Sequence, residues 1–351
     1  MIGLKQPVLG IAATILVMAV ALGLISLFDL PTFSGWASYL IMCVIPMQIV
    51  IGVLWGTNEP GFAARQSQPV KGALLLVTNL IVGAIVAPVS LATAGGNVAP
   101  PSPMLMHITI TAVVVTFWSS IMWGGWPFKP FIKNQVAAGL AMLLACYLFN
   151  YAMFRILFDY AFMQGAPVYV ASLDPHGMFN ALYSLVFCVT FLIGLFTMAC
   201  FDLWPLTKFP AIMSQPTLGL VWTIVALAMG SVVYGIGVGA IGMDVMAFLV
   251  TVPVPFIFGT IVVLNMLQNS TFGKLAQPLK GIANVVAAAV VGSALAQLYR
   301  ALAPTVMAPL QPGPPTYDLE IWTANALLGV TFPFLIFFAE FFRFWPLGKS
   351  E

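Results

Sequence analysis

Charge is what this chain lacks. Lysine and arginine number 12 and aspartate and glutamate 10, together 6% of 351 residues, against roughly 25% in a soluble domain. So few charges cannot cover the surface of a water-soluble protein of this length. A net charge of +2, thinly spread, also excludes a nucleic-acid partner. Cysteine is scarce: Cys43, Cys146, Cys188 and Cys200 all fall inside apolar runs, with no Cys-x-x-Cys spacing. They read as buried free thiols, not as a disulfide framework. The chain also has no glycine-rich nucleotide loop and no polar stretch long enough for a soluble catalytic domain. That absence leans the reading away from an enzyme.

What is there is apolar. Hydrophobic residues make up 61% of the chain. They gather in ten runs at about 7–27, 36–55, 69–90, 103–125, 135–158, 178–203, 216–240, 244–267, 278–301 and 322–343. A helix needs about 20 residues to cross roughly 30 Å of hydrocarbon. The runs are continuous, not alternating, which rules out a transmembrane β-barrel. The first run follows a single lysine, Lys5, and ends without an Ala-x-Ala-like site, so it reads as a span and not a cleaved signal. The fold class expected is all-α polytopic, about ten helices in one transmembrane domain over 1–351, with membrane lipid as the main partner.

A short signal recurs five times: Gln6-Pro-Val-Leu-Gly10, Gln68-Pro-Val-Lys-Gly72, Gln135-Val-Ala-Ala-Gly139, Gln215-Pro-Thr-Leu-Gly219 and Gln277-Pro-Leu-Lys-Gly281. Successive copies are 62, 67, 80 and 62 residues apart, room for two spans and two turns. The spacing predicts five consecutive helical hairpins as parallel internal repeats, approximately 6–55, 68–126, 135–204, 215–267 and 277–345. Proline suits a first helical turn, where its missing N–H costs nothing. Trp126-Pro, Trp204-Pro and Trp345-Pro close three hairpins on the same face, with a degenerate Trp55-Gly-Thr in the first.

Ten basic residues (Lys5, Arg65, Lys71, Lys129, Lys133, Lys208, Lys274, Lys280, Arg343 and Lys349) fall on the glutamine face, and two, Arg155 and Arg300, on the other. The positive-inside bias puts both termini in the cytoplasm, and the plasma (inner) membrane of a bacterium is the expected location.

Several polar groups invite a function. Asn79, Asn150, Asn265 and Asn284 sit in apolar runs, where an amide must face other helices or a polar path; they are the candidate solute path. Gly235-x-x-x-Gly239 permits a close crossing, and Pro253 and Pro255 should bend the next span, so these four are the candidate hinge. His107, His176, Met104, Met106 and Asp174 map to the far face, where thioether and imidazole suit copper and two imidazoles suit heme iron. Asp159 could add a carboxylate.

Three readings follow. A channel or secondary transporter for a small solute leads. A non-catalytic membrane subunit comes next, binding partner subunits, a second copy, lipid, quinone or pigment. A membrane redox protein using the far-face cluster is third.

Overall fold

The computed structural model describes residues 2–56 and 59–348. Among these residues ten helices are long and apolar enough to cross a membrane. They are α1 (Val8–Ile25), α2 (Leu30–Trp55), α3 (Val70–Thr93), α4 (Pro103–Met122), α5 (Gln135–Leu157), α6 (Ala181–Cys200), α7 (Thr217–Ala240), α8 (Val245–Met266), α9 (Leu279–Val306) and α10 (Asp318–Phe341). The chain is a polytopic all-α integral-membrane protein. Between α5 and α6 a two-residue parallel bridge joins β1 (Phe158–Asp159) to β2 (Phe179–Asn180). Lys349 of the charge tally, and the threonine that ends Trp-Gly-Thr, lie outside the described residues.

The spans form two layers. The even-numbered helices bury 67–78% of their most apolar window, the odd-numbered ones only 22–44%. In the central layer α2 packs on α4, α4 on α6, α6 on α8 and α8 on α10, and α10 returns to α2. The peripheral helices cover this ring from outside. Each packs on the span just before it: α3 on α2, α5 on α4, α7 on α6 and α9 on α8. The first helix, α1, completes the set by packing on the last, α10.

The glycine of each signal explains how a peripheral helix docks. It begins a stripe of buried positions that recur after three residues and then every four. The stripe is Gly10, Ala13, Val17, Ala21, Ile25 in α1 and Gly72, Leu75, Asn79, Gly83, Ala87 in α3. It continues as Gly139, Met142, Cys146, Asn150, Phe154 in α5 and Gly219, Trp222, Ala226, Gly230 in α7. In α9 it is Gly281, Asn284, Ala288, Gly292, Ala296. Such spacing holds one face of a helix with 3.6 residues per turn. Many of these residues are small, so backbones approach closely, as membrane interfaces favour. The opposite faces expose Ile15, Ile81, Leu144, Ile224 and Val290 to lipid.

The glutamine ties each peripheral helix to a second central one. Gln6 Nε2 donates to the Met266 carbonyl of α8 at 2.9 Å, and Gln68 to Phe341 of α10 at 2.7 Å. Gln135 donates to Leu54 of α2, and Gln215 to Met122 of α4 at 2.8 Å. Gln277 instead reaches the Asp202 carboxylate at 2.9 Å, just past the end of α6. There the corresponding carbonyl, Cys200, accepts from Asn284 Nδ2 at 3.3 Å. Every peripheral helix therefore spans two adjacent members of the ring. In four copies the glutamine Oε1 also accepts the N–H of its own glycine, at 3.0–3.2 Å. This satisfies one of the free donors of the helix start.

Central helices leave the layer by a shared exit. Two consecutive residues adopt positive φ at Gly124–Gly125, Asp202–Leu203, Gln268–Asn269 and Arg343–Phe344. Only the first pair is the glycine that such a backbone favours. At three of the four exits the residue just before the pair lies over the next peripheral glycine, and at the Gln268–Asn269 exit the Met266 carbonyl stands over Gly10 instead. A Cβ on Gly219 would collide with the Trp123 ring, on Gly281 with Phe201, and on Gly72 with Phe342.

Candidate functional site

Two features of the fold combine geometry with chemistry. The first lies among the five central helices. A cavity of about 60 Å³ is walled by Met42 and Ile45 of α2, Ile110, Val113, Val114 and Phe117 of α4, Val189 and Leu192 of α6, Ile257 of α8, and Leu328 and Phe332 of α10. All five central helices contribute, and every wall residue is apolar. Phe117, one of the wall residues, meets Phe196 at 5.4 Å and Phe332 at 6.0 Å between ring centroids. The hydroxyls of the central helices do not open a polar lane here. Thr116, Thr190 and Thr260 each bond a carbonyl one turn back on their own helix. Thr331 does the same and also meets the Tyr299 hydroxyl of α9.

The four carboxamides expected along a solute path lie apart from one another, and none walls this cavity. Asn79, Asn150 and Asn284 belong to the buried stripes of α3, α5 and α9 and face the central layer from outside. Asn150 Nδ2 donates to the Ile108 carbonyl at 2.8 Å, and Asn284 also donates to Asn269 Oδ1 at 3.0 Å. Asn265 donates to Glu340 at 3.0 Å. Asn79 differs: it is fully buried, and neither polar atom of its carboxamide has a hydrogen-bond partner among the described residues.

The hinge residues divide in two. Pro253 heads the second segment of α8, Pro253–Ile261, after a break at Val252 with φ −115° and ψ −74°. Pro255 is part of a close crossing, because a Cβ on Gly292 of α9 would strike its carbonyl. The close crossing expected at Gly235 and Gly239 is not found. Open space surrounds both, and Gly237 between them packs on the Phe248 ring instead. The spacing marked a face of α7, but the buried face is the one that continues from Gly219.

The second feature is a side-chain cluster in the loop between α5 and α6. Asp159, Asp174 and His176 bring one potential metal-ligand atom each within 4.8 Å of the others. His176 Nδ1 lies 3.4 Å from Asp174 Oδ2 and 3.9 Å from Asp159 Oδ1. Asp174 is buried. Its Oδ1 accepts the backbone N–H of Tyr160 at 3.2 Å and of His176 at 2.9 Å, and its Oδ2 accepts the Tyr169 hydroxyl at 3.0 Å. Desolvation, followed by that hydrogen bond, holds the Tyr169 phenol above its ordinary pKa. Burial, followed by the Asp174 charge, does the same at Tyr160.

Of the expected far-face residues, the structure joins Asp174 and His176. His107 stands one side chain away, its Nδ1 2.9 Å from the Tyr160 hydroxyl. Met104 is buried in the apolar cluster beneath the loop with Tyr39, Phe154 and Phe158, and Met106 packs against that cluster. Asp159 joins through β1, where its pairing with Asn180 pins the loop at both ends.

Sequence reasoning passed over Glu59, which bridges Lys71 and Arg343 on the glutamine face. It also missed a lateral pocket of about 290 Å³ between α4 and α5, where Trp118, Trp123, Trp126, Phe128 and Phe149 converge. The close Trp118, Trp123 and Trp126 spacing was its only signal. Fold and site together define a polytopic helical membrane protein whose five central helices share a small apolar cavity. No protein-family model, curated protein or solved structure matches the chain.

Proposed function

We propose that this protein is a channel or secondary transporter for a small solute, with the axis of the central ring as its path. The observation that carries this reading is the axial cavity, to which all five central helices contribute a wall. In a membrane protein the natural route across is the line along which the central helices meet. An apolar constriction on that line gates by dewetting: it keeps ions and water columns out until its walls part. Phe117 and Phe332 are the gate, and the break before Pro253 lets the adjoining half of α8 move. Asn79 faces the central layer from outside and does not wall this cavity, so a solute contact there belongs to a route between α2 and α3 and not to the axial path.

The finer topology belongs to the same proposal. Five parallel hairpin repeats, with the glutamine face and both termini cytoplasmic in a bacterial inner membrane, agree with the basic residues on that face and with the cyclic recurrence of the glutamine bonds.

The test is flux through proteoliposomes. Shrinkage by stopped-flow scattering with water, glycerol, urea and ammonium, and bilayer conductance in potassium chloride, should show at least one solute passing faster than through empty vesicles. Phe117→Ser and Phe332→Ser should raise flux and add ion conductance. If wild type and both variants are no leakier than empty vesicles, the axis is not a path.

A second reading draws on the lateral pocket, whose aromatic walls suit a quinone, pigment or lipid held by a non-catalytic subunit. Extraction of a stoichiometric chromophore or quinone from purified protein would favour it over transport.

A further inference from the structure

We propose that Asp159, Asp174 and His176 form a binding site for a first-row divalent cation of the zinc class, on the face of the protein opposite the glutamine signals. The inference is independent of the axial path. It begins with distances. Zinc takes nitrogen and carboxylate oxygen at about 2.0–2.2 Å, and tetrahedral geometry then sets ligand atoms about 3.4 Å apart. His176 Nδ1 is 3.4 Å from Asp174 Oδ2 and 3.9 Å from Asp159 Oδ1. The two carboxylates offer their ligand atoms within 4.8 Å of one another, so the partly exposed Asp159 carboxylate must swing inward to complete the set.

Charge supplies a second argument. Two carboxylates face one another here, and no lysine or arginine forms an ion pair with either among the described residues. The Asp174 side chain is wholly shielded from solvent. A buried carboxylate requires hydrogen bonds and a counter-charge. The two backbone N–H groups and the Tyr169 hydroxyl provide the bonds; His176 is the side chain at ion-pair distance among the described residues, and a divalent ion held between the three would supply a fixed counter-charge. Those same donors orient Asp174 as the outer partners of a metal site do.

Rigidity is the third. The β1–β2 bridge fixes both ends of the loop, and Asp174 ties its middle to Tyr160 and Tyr169. His176 is mostly exposed, so a fourth coordination position opens to water. Three protein ligands with one open position is the pattern of an accessible zinc site, not a closed structural one. A mixed oxygen and imidazole set selects against magnesium and calcium, which prefer oxygen alone.

The experiment is calorimetric titration of the detergent-purified full chain with zinc chloride, alongside cobalt chloride read by its visible absorption. One ion per chain should bind saturably, and cobalt should give the intense bands of a four-coordinate site. His176→Ala, on an exposed side chain, should cut affinity at least about 100-fold with the thermal midpoint unchanged. Tyr169→Phe should weaken binding about 10-fold, as loss of an outer-shell partner does. Asp174→Asn tests the buried ligand, with its monodispersity checked first. The proposal is overturned if wild type binds no stoichiometric ion, if His176→Ala and Asp159→Asn bind as tightly as wild type, or if calcium binds as tightly as zinc.

Discussion

At the scale of single residues, the glycine of each signal is where peripheral and central helices touch. Replacing Gly219 or Gly281 by leucine would drive a side chain into Trp123 or Phe201. Overpacking of this kind costs about 1–3 kcal/mol, so the thermal midpoint in detergent should fall. Gly239→Leu is the control: nothing stands near that position, and stability should hold. Asn79 gives a sharper contrast. An unpartnered buried carboxamide is a liability of about 1–3 kcal/mol, and an apolar side chain of the same shape removes it. Asn79→Leu should therefore raise the midpoint. If Asn79 contacts solute, the same variant should slow flux while wild-type stability is exceeded.

At the scale of elements, α10 begins beside a loop that Tyr317 fastens to α8. Its hydroxyl donates to Asp244 at 2.8 Å, and that bond, ahead of burial, raises the phenol pKa. A group whose folded pKa is raised contributes stability that is complete below its unfolded value of about 10 and is lost as pH climbs above it. Midpoints measured between pH 8 and pH 11, a window of about three units around that value, should show an alkaline drop that Tyr317→Phe lessens. The size of the drop is small because the group is largely solvated.

The elements also show what a sequence can and cannot say. The runs 135–158 and 216–240 meet α5 and α7 almost end for end, because hydrocarbon thickness and helix rise fix the length of any span. Which spans are central was not legible. Lipid and a protein interior are equally apolar, so α2 and α3, at mean hydropathies of 2.2 and 2.3, look alike although one is mostly buried and the other mostly bare. The stripe after each glycine was written in the sequence, as Gly72, Asn79 and Gly83 or Gly281, Asn284 and Gly292, but needed the ring to give it meaning. The positive-φ exits at Asp202–Leu203 and Arg343–Phe344 are marked only by the Trp204-Pro and Trp345-Pro that follow them, since no glycine stands there. Of the far-face candidates, Asp174 and His176 fall in the loop that also carries Asp159, while His107 lies in α4. Only folding could bring Asp159 beside His176, and only folding could make an axis.

At the scale of the whole molecule, the ring is joined across the chain ends. Ile2 N–H donates to the Pro346 carbonyl at 3.1 Å, and Leu4 N–H to Leu347 at 3.0 Å. A circular permutant that links the ends by a short flexible segment and opens the chain among residues 128–134 keeps every helix pair intact. It should fold to a monodisperse protein with a thermal midpoint close to wild type, since termini that lie together tolerate this change. Collapse of the permutant would mean that α4 and α5 need their connection.

The pairing of α1 with α10 also has a bearing on biosynthesis. A ribosome delivers the helices in order, and α1 finds its seat only between α8 and α10. α1 must wait in the bilayer until α10 has been threaded, a closure over more than 300 residues. Through that interval its small-residue face, Gly10 to Ile25, lies open to lipid and to any other helix with a matching stripe. The newborn chain is most exposed to mispairing at α1, and the arrival of α10 relieves the wait.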